Sequence, residues 1–113
     1  MNKISWWQWL PIFGWRIVAF VEAADDIPAR LPRNGVVLVG QTMKPKWVAF
    51  DCPCRTGHRI LLNTDRARRP YWSVGKGRKL SLSPSVDFRN KYKRCHYFIH
   101  NGRIDWADVG ADI

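Results

Sequence analysis

From Arg16 onward the chain alternates short apolar runs with turn residues. No stretch after residue 35 sustains the 3.6-residue apolar period of a helix. Arg16-Ile-Val-Ala-Phe-Val-Glu22 is rich in β-branched and aromatic residues and reads as a first strand. Residues 23–32 hold Pro28, Pro32 and the pair Asp25-Asp26, so they read as a loop or one short helical turn. Further strands are predicted over 36–39, 46–50 and 57–63, with turn signals at Asn34-Gly35 and Lys44-Pro45. A polar, arginine-rich connection over 64–70 leads to a short strand over 71–74 and a Gly75-Lys76-Gly77 turn. Two short strands, 80–82 and 86–88, flank a Ser83-Pro84-Ser85 corner. Strands over 95–100 and 103–106 are joined by Asn101-Gly102, the strongest hairpin signal in the chain. Many short strands with regular turns predict a mainly β, single small domain: a short-stranded sheet, sandwich or partial barrel. The pattern divides the chain into a Trp-rich N-terminal segment (1–15), a β domain (16–107) and a tail (108–113); the acidic end from Ala107 is expected to fray.

The apolar fraction, 46% of 113 residues, belongs to a globular chain with a modest core. Seven tryptophans are many for this length, and they read first as core and platform residues. Trp6, Trp7, Trp9 and Trp15 crowd the N-terminus, where packing or a hydrophobic contact with a partner is expected in preference to a membrane contact. The run from Trp6 to Phe20 is interrupted by Pro11, Gly14 and Arg16; it is too short and broken for a transmembrane span and makes no clean signal peptide. A cytoplasmic chain is therefore expected, in which thiols stay reduced.

Charge adds a second theme. The formal net charge is +10, and twelve basic residues against two acidic ones lie between Arg55 and Arg94. Arg55, Arg59, Arg66, Arg68 and Arg69 are the candidate basic surface, suited to an acidic protein or to nucleic acid. Tyr71 and Trp72 beside them offer stacking faces for bases.

Three cysteines do not make a disulfide framework. Cys52-Pro53-Cys54 with His58 puts two thiolates and an imidazole around one turn, and Cys95-His96 begins a later strand. Thiolate and imidazole are zinc ligands. Neighbours on a strand face opposite ways, so Cys95 and His96 cannot both reach one ion without a bulge. The preferred set is Cys52, Cys54, His58 and Cys95, with His96 as the alternative to His58. Were the chain an enzyme, His96 is the candidate acid or base, with Asp51 and Ser85 as its partners. The one glutamate, Glu22, lies in no HExxH context.

These motifs, in order, resemble a small uncharacterised bacterial family: Lys46-Trp-Val-Ala-Phe-Asp-Cys-Pro-Cys54, Gly57-His-Arg-Ile-Leu-Leu-Asn63, Pro84-Ser85, and Cys95-His-Tyr-Phe-Ile-His-Asn-Gly-Arg-Ile-Asp-Trp106. The resemblance covers roughly residues 16–107. It implies a zinc site built from the Cys-Pro-Cys turn and the late strand, and an association with bacterial ubiquitin-like conjugation systems in a peptidase or accessory role. A further cysteine-like position of that family, near Arg55-Thr56, is absent here. Three functions are then expected in order: a zinc-binding module whose basic surface engages a partner, a zinc-dependent hydrolase or peptidase acting on ubiquitin-like conjugates, and a nucleic-acid-binding protein.

Overall fold

A computed structural model describes residues 4–41, 44–75, 77–89, 91 and 94–107. It forms two four-stranded sheets. The first runs β1 (Arg16–Val21), β2 (Gly35–Gln41), β3 (Lys44–Asp51) and β4 (Arg59–Asn63) in that spatial order. Strands β1 and β2 are parallel, and the rest of this sheet is antiparallel. The second sheet is antiparallel throughout and runs β5 (Ser73–Val74), β6 (Leu82–Arg89), β7 (Arg94–His100) and β8 (Arg103–Trp106).

Side-chain alternation explains why the sheets stack. Val36 and Leu38 of β2, Val48 and Phe50 of β3, and Ile60 and Leu62 of β4 turn one way. They meet Leu82 and Val86 of β6 and Cys95, Tyr97 and Ile99 of β7 in one buried cluster. The other face of the first sheet is covered too, because Val37 and Val39 pack with Ala19, Val21 and Leu31. A strand buried on both faces reads as an unbroken apolar run, which is the character of Val36–Val39.

The hairpin at Asn101-Gly102 forms as predicted: both residues have positive φ, 53° and 79°, and the flanking pair is His100 with Arg103. The same turn anchors the N-terminal segment. Trp15 N–H donates to Gly102 O at 3.0 Å, Leu80 N–H to Trp15 O at 3.0 Å, and Gly102 N–H to Leu80 O at 2.7 Å. Gly14 sits so close to this turn that an added Cβ would lie 2.9 Å from Gly102 O.

The structure departs from the sequence reading in three places. Lys44-Pro45, expected as a turn, opens β3 and pairs with Gly40 and Gln41 at the end of β2. The residues around Ser83-Pro84-Ser85 belong to one continuous strand, β6, whose register with β7 shifts between Leu82 and Val86. And of the tryptophans, only Trp15 is buried, in edge-to-face contact with Phe50; Trp6, Trp7, Trp9 and Trp106 are exposed. The acidic tail from residue 108 and Lys76 of the glycine turn lie outside the described residues. Among the described residues no helix is long and apolar enough to cross a membrane.

Phe50 is fully buried at the centre of the inter-sheet cluster, whereas Leu61 on the next strand is exposed. Phe50→Ala is expected to cost about 3–5 kcal/mol in urea unfolding, and Leu61→Ala to stay within about 0.5 kcal/mol of wild type.

Candidate metal centre and serine–histidine pair

The turn after β3 is shaped to gather ligands. Cys52 N–H bonds to His58 O at 3.0 Å and Arg55 N–H to Cys52 O at 3.0 Å, closing a loop in which Arg55 and Gly57 take positive φ. This brings Cys52, Cys54 and His58 to one point, and Cys95 arrives from β7 in the other sheet. One ligand atom from each of the four lies within 4.8 Å of all the others, so the cluster can hold a metal ion. His58 is steadied by stacking on Phe88, with ring centres 4.2 Å apart. Thr56 Oγ1 lies 3.0 Å from Cys54 Sγ, and the buried Tyr97 hydroxyl donates to Cys52 Sγ at 3.8 Å.

The thiols are electrostatically unequal. Burial foremost raises the Cys52 thiol, and burial with the two neighbouring thiols pushes Cys95 up to about 12. Burial also works against ionisation of Cys54, but hydrogen bonds from Thr56 and the other two thiols bring it down to about 7. Burial thus favours neutral thiols at Cys52 and Cys95, and a cation bound by the cluster would favour their thiolate forms.

The neighbour of Cys95 faces the other way. Cys95 is inside and His96 outside, with Phe98 and His100, on the outer surface of β7. There His96 Nε2 lies 2.9 Å from Ser85 Oγ of β6. Ser85 sits in the irregular stretch between Leu82 and Val86, where a bulge re-aims a side chain. Its carbonyl accepts a hydrogen bond from Trp72 Nε1 at 3.1 Å, which fixes the strand from the far side. Asp87, two residues beyond Ser85 and therefore on the same face, is the cross-strand partner of His96. Arg94 grips both Asp87 oxygens at 3.1 Å and holds the carboxyl below its usual range.

Asp51 is placed elsewhere. It ends β3 and pairs at 2.7 Å with Arg59, its cross-strand neighbour in the first sheet. The candidate basic surface is partly committed as well. Arg55 bonds to Asn34, Arg68 lies over the Trp47 ring with Asn63 and Asp65 nearby, and Arg69 lies over Tyr71. Arg66 is exposed. Two contributors escaped the sequence reading. Trp72, expected from the sequence to offer a stacking face for bases, is half-buried and braces Ser85. Asp87 had a signal, its two-residue spacing from Ser85, which places both on one face of a strand.

The family profile of BubE, described as a bacterial ubiquitination-like system serine protease, matches residues 23–107. The chain belongs to this family. The match begins just after β1 and spans β2 to β8, and so takes in the metal cluster and the serine–histidine pair. No curated protein and no solved structure matches the chain. Membership in the BubE family ties the chain to a bacterial ubiquitination-like system, as the resemblance in its motifs implied.

If the cluster holds an ion, the purified chain carries about one metal per molecule by mass spectrometry, and chelation lowers its melting temperature. Cys52→Ser and Cys54→Ser should each reduce occupancy, whereas His96→Ala leaves it intact. Loss of metal from His96→Ala but not from His58→Ala would reverse the ligand assignment.

Proposed function

We propose that the chain is a serine hydrolase acting on precursors or conjugates of a ubiquitin-like protein, with a structural zinc beneath its reactive surface. The observation that carries this reading is the 2.9 Å contact between Ser85 Oγ and His96 Nε2 on the outer face of the second sheet. A hydroxyl becomes a nucleophile when an adjacent base takes its proton. For Nε2 to be that base, the His96 proton sits on Nδ1. Ser85 Oγ then attacks the carbonyl carbon of the scissile bond while its proton passes to Nε2. His96 returns that proton to the leaving group, and water, activated by the same nitrogen, releases the acyl group from Ser85. The Asp87 carboxylate is occupied by Arg94, so it acts on His96 through its field, favouring the imidazolium formed during attack.

Zinc is the ion that suits three thiolates and one imidazole. A tetrahedron with Zn–S distances of about 2.3 Å has edges of about 3.8 Å, and donors already within 4.8 Å need only a small contraction. Four protein ligands leave no position for water. Zinc held by Cys52, Cys54, His58 and Cys95 would supply cross-linking, and the hydrolytic chemistry falls to Ser85.

The test is to incubate metal-replete chain with a ubiquitin-like precursor of its own system and follow cleavage by mass. Ser85→Ala and His96→Ala should each lower the rate about a thousandfold or more while keeping metal and fold. A fluorophosphonate should label wild type at Ser85 alone. Full activity in Ser85→Ala would overturn the reading. Trp72→Phe keeps the ring but removes the N–H that holds the Ser85 carbonyl. It is expected to lower kcat about tenfold, the worth of roughly 1.4 kcal/mol in the barrier, with KM and metal content unchanged.

A further inference from the structure

The N-terminal segment is exposed in a way that burial alone does not explain. Trp6–Trp9 form one turn of 3₁₀ helix in which no residue is buried. Trp6 is 77% exposed and Ile12 74%, and Trp7, Trp9 and Leu10 are exposed as well. Contiguous apolar side chains left in water mark a contact site.

These side chains are not loose. Arg16 reaches back to Gln8, with Nε 2.7 Å from its Oε1 and Nη2 2.5 Å from its backbone oxygen. Asn34 Nδ2 donates to Phe13 O at 2.9 Å, and Trp15 is locked to the hairpin turn. The tip is held outward by a frame of hydrogen bonds, so the ordering cost of presenting it is already met within the fold.

The surroundings identify the occupant. A groove beside the tip, lined by Trp7 and Phe13, also gathers Arg16, Arg78, Lys79 and Arg103. Arg78, Lys79 and Arg103 come from distant parts of the chain, which is why the N-terminal sequence by itself looks poor in positive charge. No acidic residue occurs before Glu22, and among the described residues none that lines the groove is acidic. The hydrogen-bonding side chains of tip and groove are therefore almost all donors: indole N–H, guanidinium and ammonium. Among acceptors there are only the amides of Gln8 and Asn101, and the Gln8 oxygen is taken by Arg16. Protein interfaces mix donors and acceptors across a polar rim. A phospholipid surface offers phosphate and ester acceptors over an apolar interior, the environment in which tryptophan and basic residues accumulate.

We propose that the tip formed by Trp6, Trp9, Leu10 and Ile12, with the cations of the adjoining groove, is a docking surface for an anionic lipid bilayer. The indoles and aliphatic side chains enter the headgroup boundary, and Arg78, Lys79 and Arg103 meet lipid phosphates. The surface holds the chain against the membrane plane without spanning it. This assignment is independent of the serine–histidine reading.

Flotation of the full metal-loaded chain with phosphatidylcholine vesicles containing about 30% phosphatidylglycerol tests it. Wild type should float with these vesicles, and much less with phosphatidylcholine alone or in high salt, because screening weakens the attraction. A chain of charge +10 could adhere by charge alone, so the deciding variant is Trp6→Ala with Ile12→Ala. It leaves the charge unchanged, removes exposed side chains, and should reduce vesicle affinity at least tenfold with metal content and circular dichroism unaltered. Arg78→Glu with Lys79→Glu should abolish the preference for anionic lipid. Lipids brominated high on the acyl chain should quench wild-type tryptophan emission more than that of the Trp6→Ala, Ile12→Ala variant. Undiminished flotation of that variant overturns the proposal. So does failure of wild type to float, including the case in which it self-associates and the double variant does not, which would make the tip an interface between copies.

Discussion

Three thiols and an imidazole converge from opposite halves of the sandwich, and holding them together is the constraint around which the rest is arranged. The loop after β3 supplies Cys52, Cys54 and His58, and β7 supplies Cys95. Apolar burial between the sheets is strong but non-directional, and it tolerates sliding. Ligand atoms gathered within 4.8 Å do not. Bound to one ion, they would tie β7 to the loop after β3. The outer surface of β7 and β6, where His96 meets Ser85, is positioned by the same constraint from below.

A second support comes from the side. Strand β5 is only two residues long, so among the described residues most of β6 has no ladder partner on that edge. The Trp72 indole stands in for the missing strand at the point where β6 departs from regular register. On the far end, the Asp87–Arg94 pair bridges β6 and β7. The serine–histidine contact is thus bracketed by an indole on one side and an ion pair on the other, above a buried thiol cluster.

Much of this was legible from period and turn chemistry. The run from Gly57 to Asn63, the Asn101-Gly102 hairpin and the ligand-rich Cys-Pro-Cys turn carry local signals that tertiary structure did not override. Alternation on the late strand already separated Cys95 from His96. What stayed hidden was non-local. Arg16–Val21 reads as a strand whichever way it pairs, and only the fold makes it parallel to Gly35–Gln41. Nothing in the indole itself distinguishes Trp15, which meets Phe50, from Trp6, which meets water. Asp51 reads as close to the chemistry because it abuts Cys52, yet its nearest cation across the ladder is Arg59. The Ser85 geometry depends on an irregularity that the Ser-Pro-Ser run suggests only as a corner.

The adjacency of Cys95 and His96 has a consequence for how such a chain can change over time. One peptide bond separates a side chain that must point inward from one that points outward. Gaining or losing a single residue inside β7 would exchange the two faces, sending the thiol into solvent and the imidazole into the core. An insertion or deletion inside Arg94–His100 would therefore dismantle both sites at once, whereas a replacement keeps the register. The thiol and the imidazole are thus one indivisible word in the chain, although they face opposite sides of the sheet.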